Sequence, residues 1–196
     1  MTTSVALDRR DAVTALLKDR GSLLVISGLG SPSFDVHRAG DTDANYYLWG
    51  AMGAAALMGL GLAQARPDRN VLVITGDGEQ LMGLGGLATI AIAKPKNLTI
   101  VVIDNGHFGE TGMQKSHTGL GLDLARIGAA CGFAQSLLIE DLAGVEAVGA
   151  QLRQAAEGPR LFVIKVKAEN LSRSLPPRDA IHLKNRFRSH LGMPVT

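Results

Sequence analysis

The sequence predicts an α/β fold: a single doubly wound domain over residues 1–196, with a mainly parallel sheet flanked by helices. Three observations carry this. Short apolar, β-rich runs alternate with segments of helical periodicity, the order that yields a parallel sheet covered on both faces. One pair of runs, residues 71–75 and 98–103, brackets a helical segment over residues 80–93, and a crossover of that kind is right-handed and parallel. Both runs stop at polar turns, Gly76-Asp77-Gly78 and Asp104-Asn105-Gly106. The fold sets those turns side by side at the carboxyl ends of neighbouring strands, where open α/β sheets bind ligands.

The remaining elements follow in order. Residues 8–18 read as an amphipathic helix closed by Gly21, and residues 23–27 as the first strand. Residues 28–33, Gly-Leu-Gly-Ser-Pro-Ser, form the loop at that strand's carboxyl end, where glycine permits a close turn and a hydroxyl can donate to phosphate. An ordinary strand-to-helix loop is the alternative. Residues 44–65 hold 22 residues without a formal charge, a length that could cross a membrane. That reading is rejected: Asn45, Tyr46, Tyr47 and Gln64 dilute the stretch, four glycines interrupt it, and it lies between two ligand-side loops. A helix over residues 51–64 at a subunit interface is expected instead. Residues 108–114 are a glycine-rich polar loop. Beyond it come a helix over 123–131 with Asp123 near its N-cap, a strand over 133–139, a helix over 141–157 and a last strand over 160–167. A polar link, 168–174, leads through Pro176-Pro177 to a closing basic helix over 178–191, read as a solvated or partner-facing surface.

Composition narrows the function. Hydrophobic residues make up 46% and aromatics 4%, so the core is aliphatic. A net charge of +2 argues against nucleic acid or an anionic membrane as partner. One cysteine, Cys131, forms no internal disulfide or metal cluster by itself and reads as a small apolar side chain on a helix. The first ten residues lack the apolar core of a signal peptide, so a cytoplasmic location is expected.

Gly-Asp-Gly alone is an ordinary tight turn after a strand. The Asn at the end of the next strand, 28 positions after Asp77, changes its meaning. Together they offer a carboxylate and an amide oxygen, hard ligands that suit Mg²⁺ alongside phosphate and water. Gly-Asp-Gly, a spacer of this length and Asn resemble the thiamine diphosphate fingerprint. Tyr46-Tyr-Leu-Trp-Gly-Ala-Met-Gly53, Gly59-Leu-Gly-Leu-Ala-Gln-Ala-Arg-Pro-Asp-Arg69, Leu84-Gly-Gly-Leu-Ala-Thr-Ile90, Asp104-Asn-Gly-His-Phe-Gly-Glu-Thr-Gly-Met-Gln114 and Asp123-Leu-Ala-Arg-Ile-Gly-Ala-Ala-Cys-Gly-Phe133 sharpen the likeness. In that order they are similar to the β subunits of sulfopyruvate decarboxylases and the matching half of phosphonopyruvate decarboxylases, over nearly the whole chain.

The resemblance implies site residues. Asp77, Asn105 and the main-chain carbonyl of His107 would hold Mg²⁺. Gly76, Gly78, Glu79 and Gly109 would border the cofactor, and Gly28 and Ser31 would touch its diphosphate. The Gly50 carbonyl would accept from its 4'-amino group, and Met52 would prop its two rings into a bent shape, although an ordinary core methionine is the plainer alternative. His107, Glu110, Thr111 and His117 are candidates for proton transfer or substrate contact, each of which also reads as a solvated loop residue.

It also implies an activity: decarboxylation of a 2-oxo acid. The glutamate that activates the cofactor is expected from a separate α subunit with the pyrimidine-binding domain, so a hetero-oligomer is expected and the chain alone should be nearly inactive. Three departures bear on the substrate: Ala54 where a larger or more polar residue is usual, Glu79 in place of a small residue, and Glu110 as a carboxylate in the active-site loop. They put a dianionic sulfonate or phosphonate substrate in doubt and leave a 2-oxo acid with a neutral or apolar side chain open. Two alternatives stand beside this reading. A 2-oxo acid oxidoreductase β subunit shares Thr111-Gly-Met-Gln114, but a lone cysteine is too few for an iron–sulfur cluster. A non-catalytic cofactor-binding subunit is the other.

Overall fold

The computed structural model describes residues 7–154 and 156–195. Six parallel strands form one sheet: β1 (Leu24–Ser27), β2 (Asn45–Tyr47), β3 (Val71–Gly76), β4 (Leu98–Asp104), β7 (Gln135–Ile139) and β8 (Arg160–Lys165), in the spatial order β2-β1-β3-β4-β8-β7. A two-residue hairpin, β5 (His107–Phe108) with β6 (Gln114–Lys115), stands apart from it. The chain winds outward from β1 to β2, then returns to the other side of β1 for β3. The strand order therefore reverses between β1 and β3, and the crevice outside their carboxyl ends is the ligand position of such a sheet.

Helices cover both faces. In β1, β3, β4 and β8 successive side chains point to opposite faces, and both sets are buried. Leu24, Ile26, Val73, Ile100 and Val102 pack with α3 (Ala55–Ala65), α5 (Gly85–Ala93) and α6 (Leu124–Cys131). Val25, Leu72, Ile74, Val101 and Phe162 pack with α1 (Arg9–Leu17), α2 (Ser31–Ala39) and α7 (Leu142–Gln151). The closing helix α8 (Ala180–His190) caps the β2 edge: Phe187 stacks edge-on against Tyr46, and Arg186 forks onto Asp41 at 2.8 Å. Among the described residues no helix is long and apolar enough to cross a membrane.

Several elements differ from the expectation. The helix read over 80–93 is two: α4 (Asp77–Met82) and α5, parted at Gly83 and Leu84. Gly83 ends α4 packed so closely on the Gly53 segment that a Cβ there would lie 2.0 Å from the Gly53 carbonyl oxygen. The uncharged stretch gives β2 before any helix, and α3 starts at Ala55 rather than residue 51 because Ala51 and Gly53 take positive φ of 53° and 87°. The loop over 28–33 is cut short by α2, whose second residue, Pro32, suits a first helical turn. Helix α7 ends at Gln151, short of residue 157, and α8 starts two residues late because Asp179 caps it.

Candidate active site

The carboxyl ends of β1, β3 and β4 open into a cleft of about 240 Å³. Of the residues singled out from the sequence, Ser31, Met52, Gly76, Asp77, Gly78, Glu79, Asn105, His107, Gly109, Glu110 and Thr111 line it. Gly28 and Gly50 do not, and His117 is exposed elsewhere on the loop.

Asp77 is 2% exposed, and its Oδ2 accepts from the hydroxyls of Ser116 and Thr118, the latter at 3.0 Å. Thr118 reaches Asp104 Oδ1 at 2.7 Å, and the Lys165 ammonium holds Asp104 Oδ2 at 2.7 Å. The two strand-end carboxylates are thus tied together by hydroxyls, with one lysine beside them. Burial pushes the Asp77 carboxyl above the usual range; the Ser116 hydrogen bond works against this and the Asp104 charge adds to it. A cation beside Asp77 would favour the ionised carboxylate and offset the burial.

Asn105 folds its side chain back, its Oδ1 accepting from the His107 N–H at 2.9 Å, while His107 Nδ1 donates to the Asn105 carbonyl at 2.8 Å. That turn aims the chain into the β5–β6 hairpin and sets Phe108 over Gly78, where any Cβ would meet the ring at 2.6 Å. At the hairpin tip Thr111 and Gln114 bond each other. Among the described residues no cluster of three His, Cys, Asp or Glu side chains surrounds a metal position. A cation here would rest on one carboxylate plus neutral oxygens, the donor set that Mg²⁺ accepts when phosphate and water complete it.

Glu79 has a structural task the sequence did not reveal. It is 4% exposed and accepts from Thr75 at 2.8 Å, and its Oε2 occupies the place of a Cβ on Gly28, 1.6 Å away. Gly28 is glycine to admit that carboxylate. Burial raises the Glu79 carboxyl, with the Thr75 hydroxyl and the backbone N–H groups of Gly53, Ala55 and Leu29 working against it.

Burial also pushes Asp35 up, to about 6, against the pull of Arg9 and Arg10. A native state that binds such protons more tightly than the unfolded chain loses stability as pH rises, for Asp35 between 3.8 and about 6. The protein without cofactor should therefore have a higher urea midpoint near pH 5 than near pH 7. Glu79→Gln, which keeps an acceptor for Thr75, should flatten that fall. An unchanged slope would show that Glu79 ionises in the native state as it does in water.

Several functional groups escaped the sequence reading. Ser116 and Thr118 carry only a weak signal, hydroxyls one residue apart after a glycine-rich loop. The link over 168–179 is tied to α1, α2 and Trp49, and it reaches Glu110 of the cleft wall. Its Ser172 carbonyl accepts from Arg10, Ser174 meets His37 at 2.8 Å, and the Pro177 carbonyl accepts from Trp49 at 2.7 Å. Arg173 on this link pairs with Glu110 at 2.9 Å.

The chain matches the model of the thiamine pyrophosphate enzyme C-terminal TPP-binding domain over residues 28–166. It belongs to that family. The β subunit of sulfopyruvate decarboxylase from Methanothermobacter thermautotrophicus is 35% identical over 177 residues, 90% of each chain. The namesake subunit of Methanocaldococcus jannaschii is 42% identical over 125 residues, 63% of this chain and 66% of that one. Benzoylformate decarboxylase from Polynucleobacter necessarius has the same fold, with a TM-score of 0.68 at 23% identity. The match covers 87% of this chain and 35% of the longer one. The cleft lies outside the carboxyl ends of the strands where their order reverses, the ligand position of an open α/β sheet.

Proposed function

We propose that this chain is the β subunit of a Mg²⁺- and thiamine diphosphate-dependent 2-oxo acid decarboxylase, completed by a separate α subunit. The observation that carries this is the meeting of Asp77, Asn105 and the His107 turn in one cleft with the α2 N-terminus, in a chain of this family. Its likeness to proteins named as β subunits supports the partner, and a cytoplasmic hetero-oligomer fits that reading.

When bound, the cofactor supplies the electron sink that lets carbon dioxide leave. The chain holds and orients. Asp77, Asn105 and the His107 carbonyl would hold Mg²⁺; both hydroxyls on Asp77 engage Oδ2, which leaves Oδ1 for the cation. The free N–H groups of α2 and the Ser31 hydroxyl would bind phosphate, with Gly109 beside them on the wall. Met52, 45% exposed on the cleft wall, would prop the rings, and the Gly50 carbonyl two residues before it would accept from the 4'-amino group. Of the proton-transfer candidates, His107 is engaged with Asn105, Thr111 with Gln114 and Glu110 with Arg173, while His117 is exposed away from the cleft. Arg173 and Glu110 pair as two exposed side chains, which weakens the case that this carboxylate repels an acidic substrate side chain.

The test is to purify the tagged chain from its native host, add Mg²⁺ and thiamine diphosphate, and measure carbon dioxide from pyruvate, sulfopyruvate, phosphonopyruvate and benzoylformate. A co-purifying protein with release from one acid is the expected result. A chain that binds the cofactor, comes down alone and releases nothing would overturn the decarboxylase and leave a binding subunit.

A further inference from the structure

Arg9 has no task in the site described so far. It opens α1, is 3% exposed, and lines the cleft wall with Ser31 and Pro32. Its charge faces Asp35, Nη1 to Oδ2 at 3.1 Å, yet neither its Nε nor its Nη1 makes a hydrogen bond. Asp35 is also shared: Arg10 Nε lies 3.6 Å from Oδ1. Two guanidinium groups therefore divide one buried carboxylate. Arg10 has an outlet, donating from Nη2 to the Ser172 carbonyl. Arg9 Nε and Nη1 are buried without a hydrogen bond, as are both Asp35 oxygens, so the fork lies beside that carboxylate without closing on it.

The position of the fork says what would fill it. Asp35 lies one turn along α2 from Ser31, so Arg9 flanks the first turns of that nine-residue helix. The Gly30 N-cap offers no side-chain hydrogen bond to the helix's free N–H groups. The Ser31 end of α2 and the Arg9 guanidinium border the same cleft, a pairing suited to an oxyanion with several acceptor oxygens.

We propose that Arg9 is a binding residue for the phosphate end of the cofactor, its fork meeting the terminal phosphate beside the α2 N-terminus. This rests on the cofactor reading above. The test uses the full chain with whatever partner it retains, as wild type, Arg9→Lys and Arg9→Met. Each is titrated calorimetrically with thiamine diphosphate, thiamine monophosphate and inorganic diphosphate in the presence of Mg²⁺, and its melting temperature is recorded. Arg9→Met should raise the Kd for both diphosphates by about tenfold or more, and that for the monophosphate by less. Arg9→Lys, which keeps the charge without the fork, should fall between. Unchanged affinities in the variants overturn the proposal, as does an equal loss for all three ligands with a lowered melting temperature, which would make Arg9 a structural clamp on Asp35. Unchanged affinities with a raised KM for the 2-oxo acid would assign the fork to the substrate's carboxylate instead. Should Arg9→Met fail to fold, Arg9→Lys decides by the same contrast between diphosphate and monophosphate. Wild type that binds no thiamine diphosphate fails the cofactor reading itself, and this inference with it.

Discussion

Asp77→Asn is expected to lower Mg²⁺-dependent thiamine diphosphate affinity by on the order of a hundredfold or more and to abolish carbon dioxide release, while leaving the fold intact. The substitution keeps the shape, and the Ser116 and Thr118 hydroxyls can turn to accept from the new amide. What is lost is the charge that a cation needs. Without cofactor, the variant should be as stable as wild type or more so, because burial already disfavours the ionised carboxylate and Asp104 adds repulsion. Loss of binding joined to unchanged or improved stability is the signature of a ligand held at a cost to the fold. Ser116→Ala, which only loosens the carboxylate, should lose about ten- to a hundredfold in affinity. Wild-type affinity in Asp77→Asn, measured by titration with Mg²⁺ present, would remove Asp77 from the metal site.

The fold was legible in the sequence wherever a strand was long and flanked by turn residues. Residues 71–75 and 98–103 reappear as β3 and β4, and the parallel pairing that joins their ends follows from the crossover alone. Short elements were not legible. Strand β2 has three residues inside an uncharged stretch, too few to show a period, and it exists because its backbone pairs with the β1 edge while Asn45 donates to the buried Tyr47 hydroxyl. In the site, the residues carrying a motif were readable, and those defined by distant contact were not. Nothing near Arg9 in sequence marks it as a wall of the cleft. Arg173 is 63 positions from Glu110, so the charge of that loop was judged without its partner. Glu79 looked like a change in the cofactor's surroundings, yet what it fills is the gap above Gly28. A single sequence shows that a glycine is present, whereas the atom that forbids a side chain there is visible only in three dimensions.

That distinction yields the second large effect. Gly83→Ala should destabilise the protein by about 3 kcal/mol and weaken cofactor binding with it. Its Cβ would lie 2.0 Å from the Gly53 carbonyl oxygen, a backbone atom that no rotamer change can move aside. Gly53 cannot retreat easily either, since it holds a φ of +87° and its own Cβ position is 2.8 Å from the Gly83 nitrogen. The strain must pass into the segment that carries Met52 and into the end of α4, which begins at Asp77. Gly61→Ala is the matched control: it sits in α3, has open space where the Cβ would go, and should gain up to about 1 kcal/mol from helix propensity alone. Urea midpoints and cofactor titrations of the two variants separate the cases. Equal midpoints would mean that the 53 and 83 segments do not press together in solution. A lowered midpoint in Gly83→Ala with undiminished cofactor affinity would mean that the contact braces the fold without setting the position of Met52.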